Sequence, residues 1–322
     1  MTKKTYSRLQ KGRRIPTEYE IVSSDLHYNY PNSFELGPDN PVVAWYYEYR
    51  EGSPFQATDW EAFSDPRATT YRAYTELQDR RETVIDGLLE EVDDSGYDDQ
   101  MADGWIDFLD QWYFPLRYPV HGLEMLAAYV AQMAPASRIT NCGAFQAADE
   151  MRRLQRIAYR TAQVNTHRLI RHPEEHRTSW EDSPPFQPLR ELIEKALVTY
   201  DWGEAFVALN VVIKPHVDRL INQELAGAVA QANHDPILQA IHFSLDQDAR
   251  WHRDWSRQLV QVAIDDSADN AERVGDHIDT WTPPARAAID AFVEVFKDAP
   301  VPSEPTEVAA RISRLVAGDA WL

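Results

Sequence analysis

Residues 138–170 read RITNCGAFQAADEMRRLQRIAYRTAQVNTHRLI. The stretch lies in a window without proline, between Pro135 and Pro173, and interior proline costs a helix about 3 kcal/mol. Small and apolar residues recur at three- and four-residue steps: Ala144, Ala147, Met151, Leu154, Ala158, Ala162 and Asn165. This spacing predicts one long helix with that face turned inward. A helix of this length buries its face only against others like it, which points to a bundle.

The neighbouring windows read the same way. No proline lies between Pro66 and Pro115 or between Pro236 and Pro283. Asp65 and Pro66 suit the N-cap and first position of a helix carrying Tyr71, Tyr74, Leu77, Arg81, Ile85 and Leu88. A second helix is expected from about Asp98 through Trp105 to Pro115, and a third over Val120–Met133. After the break at Ser183-Pro-Pro-Phe-Gln-Pro188 comes a helix to about Tyr200, then one over Trp202–Val229 kinked at Pro215. Asp235-Pro236 opens the last long helix, to about Ile264. Shorter helices near 269–280, 284–298 and 305–317 close the chain. With no alternating pattern or hairpin signal, the class is all-α. The expected organisation is an extended arm over 1–55, a helical domain over 56–265, and C-terminal helices over 266–322 packed on that domain.

Composition excludes several functions. Against 32 basic residues stand 52 acidic ones, a net charge of −20, which repels nucleic acid and anionic membranes. The single Cys142 allows no internal disulfide and reads as a small core residue. The longest apolar run, Leu123 to Ala134, includes Glu124 and Gln132 and falls short of a membrane span. The basic N-terminus lacks the apolar stretch of a signal peptide, so a cytoplasmic location is expected. The 12 glycines never come closer than Gly96 and Gly104, which removes dinucleotide, P-loop and serine-hydrolase signatures.

A long-helix bundle raises the question of a carboxylate-bridged di-metal site, built from two Glu-x-x-His motifs and two further carboxylates. None of the ten histidines has Asp or Glu three residues before it. Where the motif would stand are Glu150-x-x-Arg153 and Asp248-x-x-Trp251. Neither guanidinium nor indole offers a lone pair. Glu150 with Arg153 reads as a buried ion pair and Asp248 with His252 as an i, i+4 pair. His172-Pro-Glu-Glu-His176 reads as a solvated helix start, since Pro173 occupies the place of a metalloprotease base. The acidic runs Glu90–Asp94 and Tyr97–Asp99 read as solvated helix ends. No catalytic, cofactor-binding or metal residue is therefore assigned.

The arm is interrupted by Pro16, Pro31, Pro38 and Pro41, yet it carries Tyr28, Tyr30, Phe34, Trp45, Tyr46, Tyr47 and Tyr49. Disordered tails are poor in aromatics. These rings must pack on the chain's own bundle or on a partner, and Tyr28, Tyr30, Phe34, Trp45, Tyr46 and Tyr49 are the candidate interface.

Several stretches carry a resemblance. They include Pro16-Thr-Glu-Tyr-Glu-Ile-Val-Ser, Trp45-Tyr-Tyr-Glu-Tyr-Arg-Glu-Gly-Ser-Pro54 and Asp59-Trp-Glu-Ala-Phe-Ser-Asp-Pro66. Further on stand Gln132-Met-Ala-Pro-Ala-Ser137, Ile139-Thr-Asn-Cys142 and, above all, Asp201-Trp-Gly-Glu-Ala-Phe-Val-Ala-Leu-Asn-Val-Val-Ile-Lys-Pro215. In this order the chain resembles the β (small) subunit of the hydroxylase in bacterial multicomponent diiron monooxygenases, nearest to the toluene and isoprene/alkene branch. The resemblance implies a ferritin-like bundle without metal ligands. It also implies a catalytic α subunit holding the diiron centre, a small γ subunit, and a dimer of αβγ trimers. An effector protein, a Rieske-type ferredoxin and an NADH reductase would complete the system. From the residues alone two other readings stay open. One is a free-standing metalloenzyme using Asp149, Glu150, Glu204, Asp246 and Asp248; the other is a helical adaptor unrelated to oxygenation.

Overall fold

A computed structural model of the chain describes residues 17–25, 40–319 and 321. Tyr28, Tyr30 and Phe34 lie outside the described residues. Helices α1 (Glu18–Asp25) and α2 (Pro41–Tyr46) precede the first long helix, α3 (Tyr71–Ser95). Then follow α4 (Asp103–Phe108), α5 (Arg117–Met133), α6 (Ser137–His167), α7 (Pro173–Asp182) and α8 (Gln187–Leu197). A continuous helical run over 202–232 forms α9, and α10 (Pro236–Asp266), α11 (Asp269–Val293) and α12 (Pro305–Ala317) complete the order. There is no strand among the described residues, and none of their helices is long and apolar enough to cross a membrane.

Helices α3, α6, α9 and α10 pack around one axis, while α5 lies along α6 and α8, and α11 covers α8 and α9. The α5–α6 crossing is close because Gly143 lacks a side chain: a Cβ there would sit 2.9 Å from both Cα and Cβ of Ala131. The apolar core gathers on this side, where Leu123, Val130, Phe206, Leu209, Trp255 and Phe292 are all buried.

Several expectations change. The long helix α6 forms where its spacing predicts, but the buried face is rotated. Ala144, Ala162 and Asn165 are exposed and Ala147, Met151, Leu154 and Ala158 half-buried. Its inner face is Cys142, Gln146, Asp149, Glu150, Arg153, Ile157, Arg160 and Val164. Charged and polar groups that pair across the bundle occupy the interior, so apolar periodicity marks the wrong side. Helix α3 begins six residues beyond Asp65. Ala68 has φ +47°, a left-handed break, and Asp65 instead accepts from the backbone N–H groups of Arg67 and Thr69 at 3.0 and 2.8 Å. Thr70 is the actual N-cap, accepting from Ala73 N–H. The segment expected as one helix from Asp98 to Pro115 is broken at Met101, whose backbone is extended.

Proline also misleads. In α9 the run widens into π-helical turns at Val207–Ile213 and Arg219–Val229, with Lys214–Asp218 α-helical between them. The wider turn before Pro215 relieves the clash of its ring with the carbonyl four residues back. Pro283 and Pro284 sit inside α11 rather than between two helices. Burial of Trp281, Ala285, Ala288, Ile289 and Phe292 on one side of that helix outweighs the local preference.

Gly143→Ala is expected to destabilise the chain by about 1–3 kcal/mol despite alanine's better helix propensity, because helix α5 must move. Equilibrium unfolding of the full-length variant checks this; an unchanged or raised stability would remove the close-packing account.

Candidate functional site

The centre of α3, α6, α9 and α10 is where a bundle of this kind would hold metals. Here it holds a network of charges. Three carboxyl groups, Glu150, Asp218 and Asp248, meet four cations, Arg81, Arg152, Arg153 and Lys214, and a fourth, Asp149, meets His252. Glu150 pairs with Lys214 and, at 3.4 Å, with Arg153 Nη1. Arg153 Nη1 also donates to Asp218 at 2.7 Å, and Lys214 Nζ reaches the same carboxylate at 3.2 Å. Asp248 accepts from Arg81, from Arg152 Nη1 at 2.7 Å and from Gln78 Nε2 at 3.0 Å. Asp149 accepts from Tyr74 Oη at 2.8 Å and Gln78 Nε2 at 2.6 Å, and shares a 2.9 Å hydrogen bond with His252 Nε2.

Each site expectation can now be placed. Glu150 and Arg153 are brought together as a buried pair, enlarged by Lys214 and Asp218. Asp248 does not pair with His252: the imidazole belongs to Asp149, and Asp248 turns to the guanidiniums of α3 and α6, which neutralise it better. Trp251 leaves the centre altogether, its Nε1 donating to Asp65 Oδ1 at 3.1 Å. Glu204 accepts from Trp281 Nε1, and Asp246 from Gln223 and Arg250. Asp98 is no solvated helix end: it is buried and gripped by Arg160 through two hydrogen bonds of 2.6 Å. His172 does start α7, capping it with Glu175, but His176 is fully buried against Asp110 at 2.6 Å. Missed from sequence were Arg81, Arg152, Lys214 and Asp218. The Lys214–Asp218 spacing of four and the arginine ladder 152, 153, 156, 160 on α6 were the available signals.

The electrostatics divide the carboxyl groups. Burial alone would raise Asp218, but Lys214 and Arg153 outweigh it and hold the group well below the usual carboxylate range. Burial pushes Asp149 up to about 7, against the hydrogen bond from Tyr74 and the charge of Arg152. Burial, with the charge of Lys214, holds its partner His252 down to about 3. At mildly acid pH the folded pair thus keeps its proton on Asp149, whereas in the unfolded chain the proton sits on histidine. The number of protons is the same in both states, so this pair adds little pH dependence between about pH 4 and 6.5. Burial and the neighbouring Asp149 push Asp248 up to about 6, leaving it ionised at neutral pH.

These residues do not fit a metal cluster. Every carboxylate is already met by a donor, and two cations, Arg153 and Lys214, stand where metal charge would be. The remaining void among Glu150, Asp218, Asn222, Asp248 and His252 is about 10 Å³, room for at most one water. Among the described residues no group of three or more His, Cys, Asp or Glu side chains is arranged to hold a metal ion.

Asp149→Asn should cost under about 1 kcal/mol, since the amide replaces an acid that is already about half protonated at neutral pH. Asp218→Asn should cost about 3–5 kcal/mol, because it leaves two buried cations, Lys214 and Arg153, to share the single carboxylate of Glu150. The Asp218 contribution is fully present above its unfolded pKa of about 3.9 and is lost as pH falls below that value. The gap between wild type and Asp218→Asn should therefore narrow in acid. Denaturation curves across pH decide it; equal costs for the two variants at neutral pH would contradict this division of charge.

Comparison with known proteins places this architecture. The family described as methane/phenol/alkene hydroxylase matches residues 45–267. The chain is 40% identical to the hydroxylase component subunit beta of the toluene-4-monooxygenase system of Ectopseudomonas mendocina, over 94% of each chain. It is 22% identical to the hydroxylase component small subunit of propane 2-monooxygenase from a Gordonia species, over 87% of this chain and 77% of that one. A solved structure of toluene 4-monooxygenase with toluene in its resting active site superposes with a TM-score of 0.83 and 39% identity, over 90% of this chain and 96% of that one. Phenol hydroxylase from Pseudomonas sp. OX1 shares the fold, with a TM-score of 0.82 at 19% identity, over 98% and 94% of the chains. A bundle of this shape, matched in sequence along nearly its whole length, belongs to the methane/phenol/alkene hydroxylase family.

Proposed function

We propose that this chain is the β subunit of a diiron hydroxylase and carries no active site of its own. The observation behind this reading is the bundle centre, where cations of the chain itself neutralise the carboxylates that would otherwise be free to bind metal. The diiron centre then belongs to a larger α subunit, joined by a small γ subunit in a dimer of αβγ trimers. In the cytoplasm, NADH electrons would reach α through a reductase and a Rieske-type ferredoxin, with an effector protein tuning the site. One oxygen atom of O2 would enter a hydrocarbon, an aromatic ring such as toluene or else isoprene or an alkene. The β chain supplies a rigid helical body on which α and the dimer assemble.

The aromatic arm is the proposed contact. Trp45, Tyr49 and Tyr200 form a ring cluster with centroids 4.6–5.5 Å apart, and Trp45 Nε1 donates to Tyr129 Oη at 3.2 Å. Tyr46 stacks under Arg50. These rings rest on the chain's own bundle, yet Trp45 keeps 36% and Tyr47 48% of their surfaces exposed. Exposed aromatics grouped in this way suit an interface core.

Two measurements test the proposal. Iron analysis after co-expression with the α chain should find stoichiometric iron in the complex and none in this chain purified alone. Iron held by the lone chain would overturn the reading. Trp45→Ala should weaken association with α by about tenfold or more, and deletion of residues 1–50 should weaken it further. Assembly unaffected by both would remove the arm from the interface.

A further inference from the structure

Away from the bundle centre, a pocket of about 360 Å³ opens between α9, α11 and α12. That is within the usual range for small-molecule sites. Its walls are mostly apolar: Val211, Val212, Ile278, Val316 and Ala317, with the Trp321 ring at one side. His216 also lines it and is only 3% exposed. Its Nδ1 lies 2.7 Å from the Val212 carbonyl oxygen. A carbonyl only accepts, so the proton sits on Nδ1 and Nε2 presents a lone pair. Burial, reinforced by the charges of Arg219 and Arg286, lowers the affinity of the ring for a second proton. Among the described residues nothing donates to Nε2, and the exposed Arg286 at the rim forms no ion pair.

We propose that this pocket binds a small, mostly apolar molecule bearing one hydroxyl group, of the size of a phenol, whose hydroxyl donates to His216 Nε2. The tautomer selects the ligand. A carboxylate would set its own lone pairs against that of Nε2, and an ammonium would face Arg286. A bare hydrocarbon would bury the imidazole acceptor unpaired. A hydroxyl satisfies the imidazole by donating to His216, while the exposed Arg286 at the rim stays with water. The apolar body then covers Val211, Val212 and Val316, with Trp321 offering an aromatic face. The assignment rests on the pocket alone and holds whatever reaction the assembled enzyme performs.

Titration of the full-length chain with phenol, toluene and benzoate, followed by ligand-observed NMR, tests it. Phenol should bind saturably and at least about tenfold more tightly than either of the others. Ala317→Trp, at an exposed position on the pocket wall, should abolish phenol binding. His216→Phe should bring phenol down to the level of toluene. The proposal fails if phenol binds no better than toluene or benzoate, if no saturation appears up to about 10 mM, or if Ala317→Trp leaves phenol binding intact.

Discussion

Lys214 buried against Glu150 and Asp218 is the interaction on which the centre of this protein depends. An ammonium moved out of water costs several kcal/mol even after relaxation, and only close opposite charges offset that cost. Lys214 therefore requires two carboxylates, one from α6 and one from its own helix. Asp218 in turn requires Arg153, also from α6. A second set, Arg81 and Arg152 on Asp248, ties α3 and α6 to α10 in the same way. Removing any one member leaves a buried charge with less compensation than it has in the intact network, so the four helices are held in one register. An apolar core of equal volume would tolerate sliding that this arrangement forbids.

The same network is what the function proposed for the chain rests on. A ferritin-like bundle binds metals by leaving carboxylates and imidazoles unpaired at its axis, waiting for external charge. Here the balancing charge is covalently part of the chain. The fold is kept, and with it the outer surfaces that a multisubunit hydroxylase needs. The π-helical turns of α9 belong to this geometry, since they bracket Lys214–Asp218 and so set how these side chains face α6.

Much of the helix order was legible because proline and N-cap residues act locally. Asp235 and Pro236 open α10 as their chemistry dictates, with Asp235 accepting from Leu238 N–H. The errors share one cause. Ala68 in a left-handed conformation, Pro283 and Pro284 inside α11, and the π turns around Pro215 are all local costs accepted in exchange for packing elsewhere. The rotated face of α6 is the same kind of error, because a polar interior inverts the rule that apolar residues face inward. Asp98 and His176 looked like surface residues for want of any sign that Arg160 and Asp110 would fold against them.

By itself, the sequence determined the all-α class, the places of most of the long helices and the lack of any Glu-x-x-His pair. These follow from covalent facts: which residues lack an N–H, which can ligate a metal, and how far apart they stand along the chain. The tertiary structure alone decided which carboxylate meets which cation, that His252 serves Asp149, and that His216 turns a bare nitrogen toward a pocket. Those pairings join residues as many as 167 positions apart. Long-range electrostatics and packing select them after the helices form, and no local pattern records the choice.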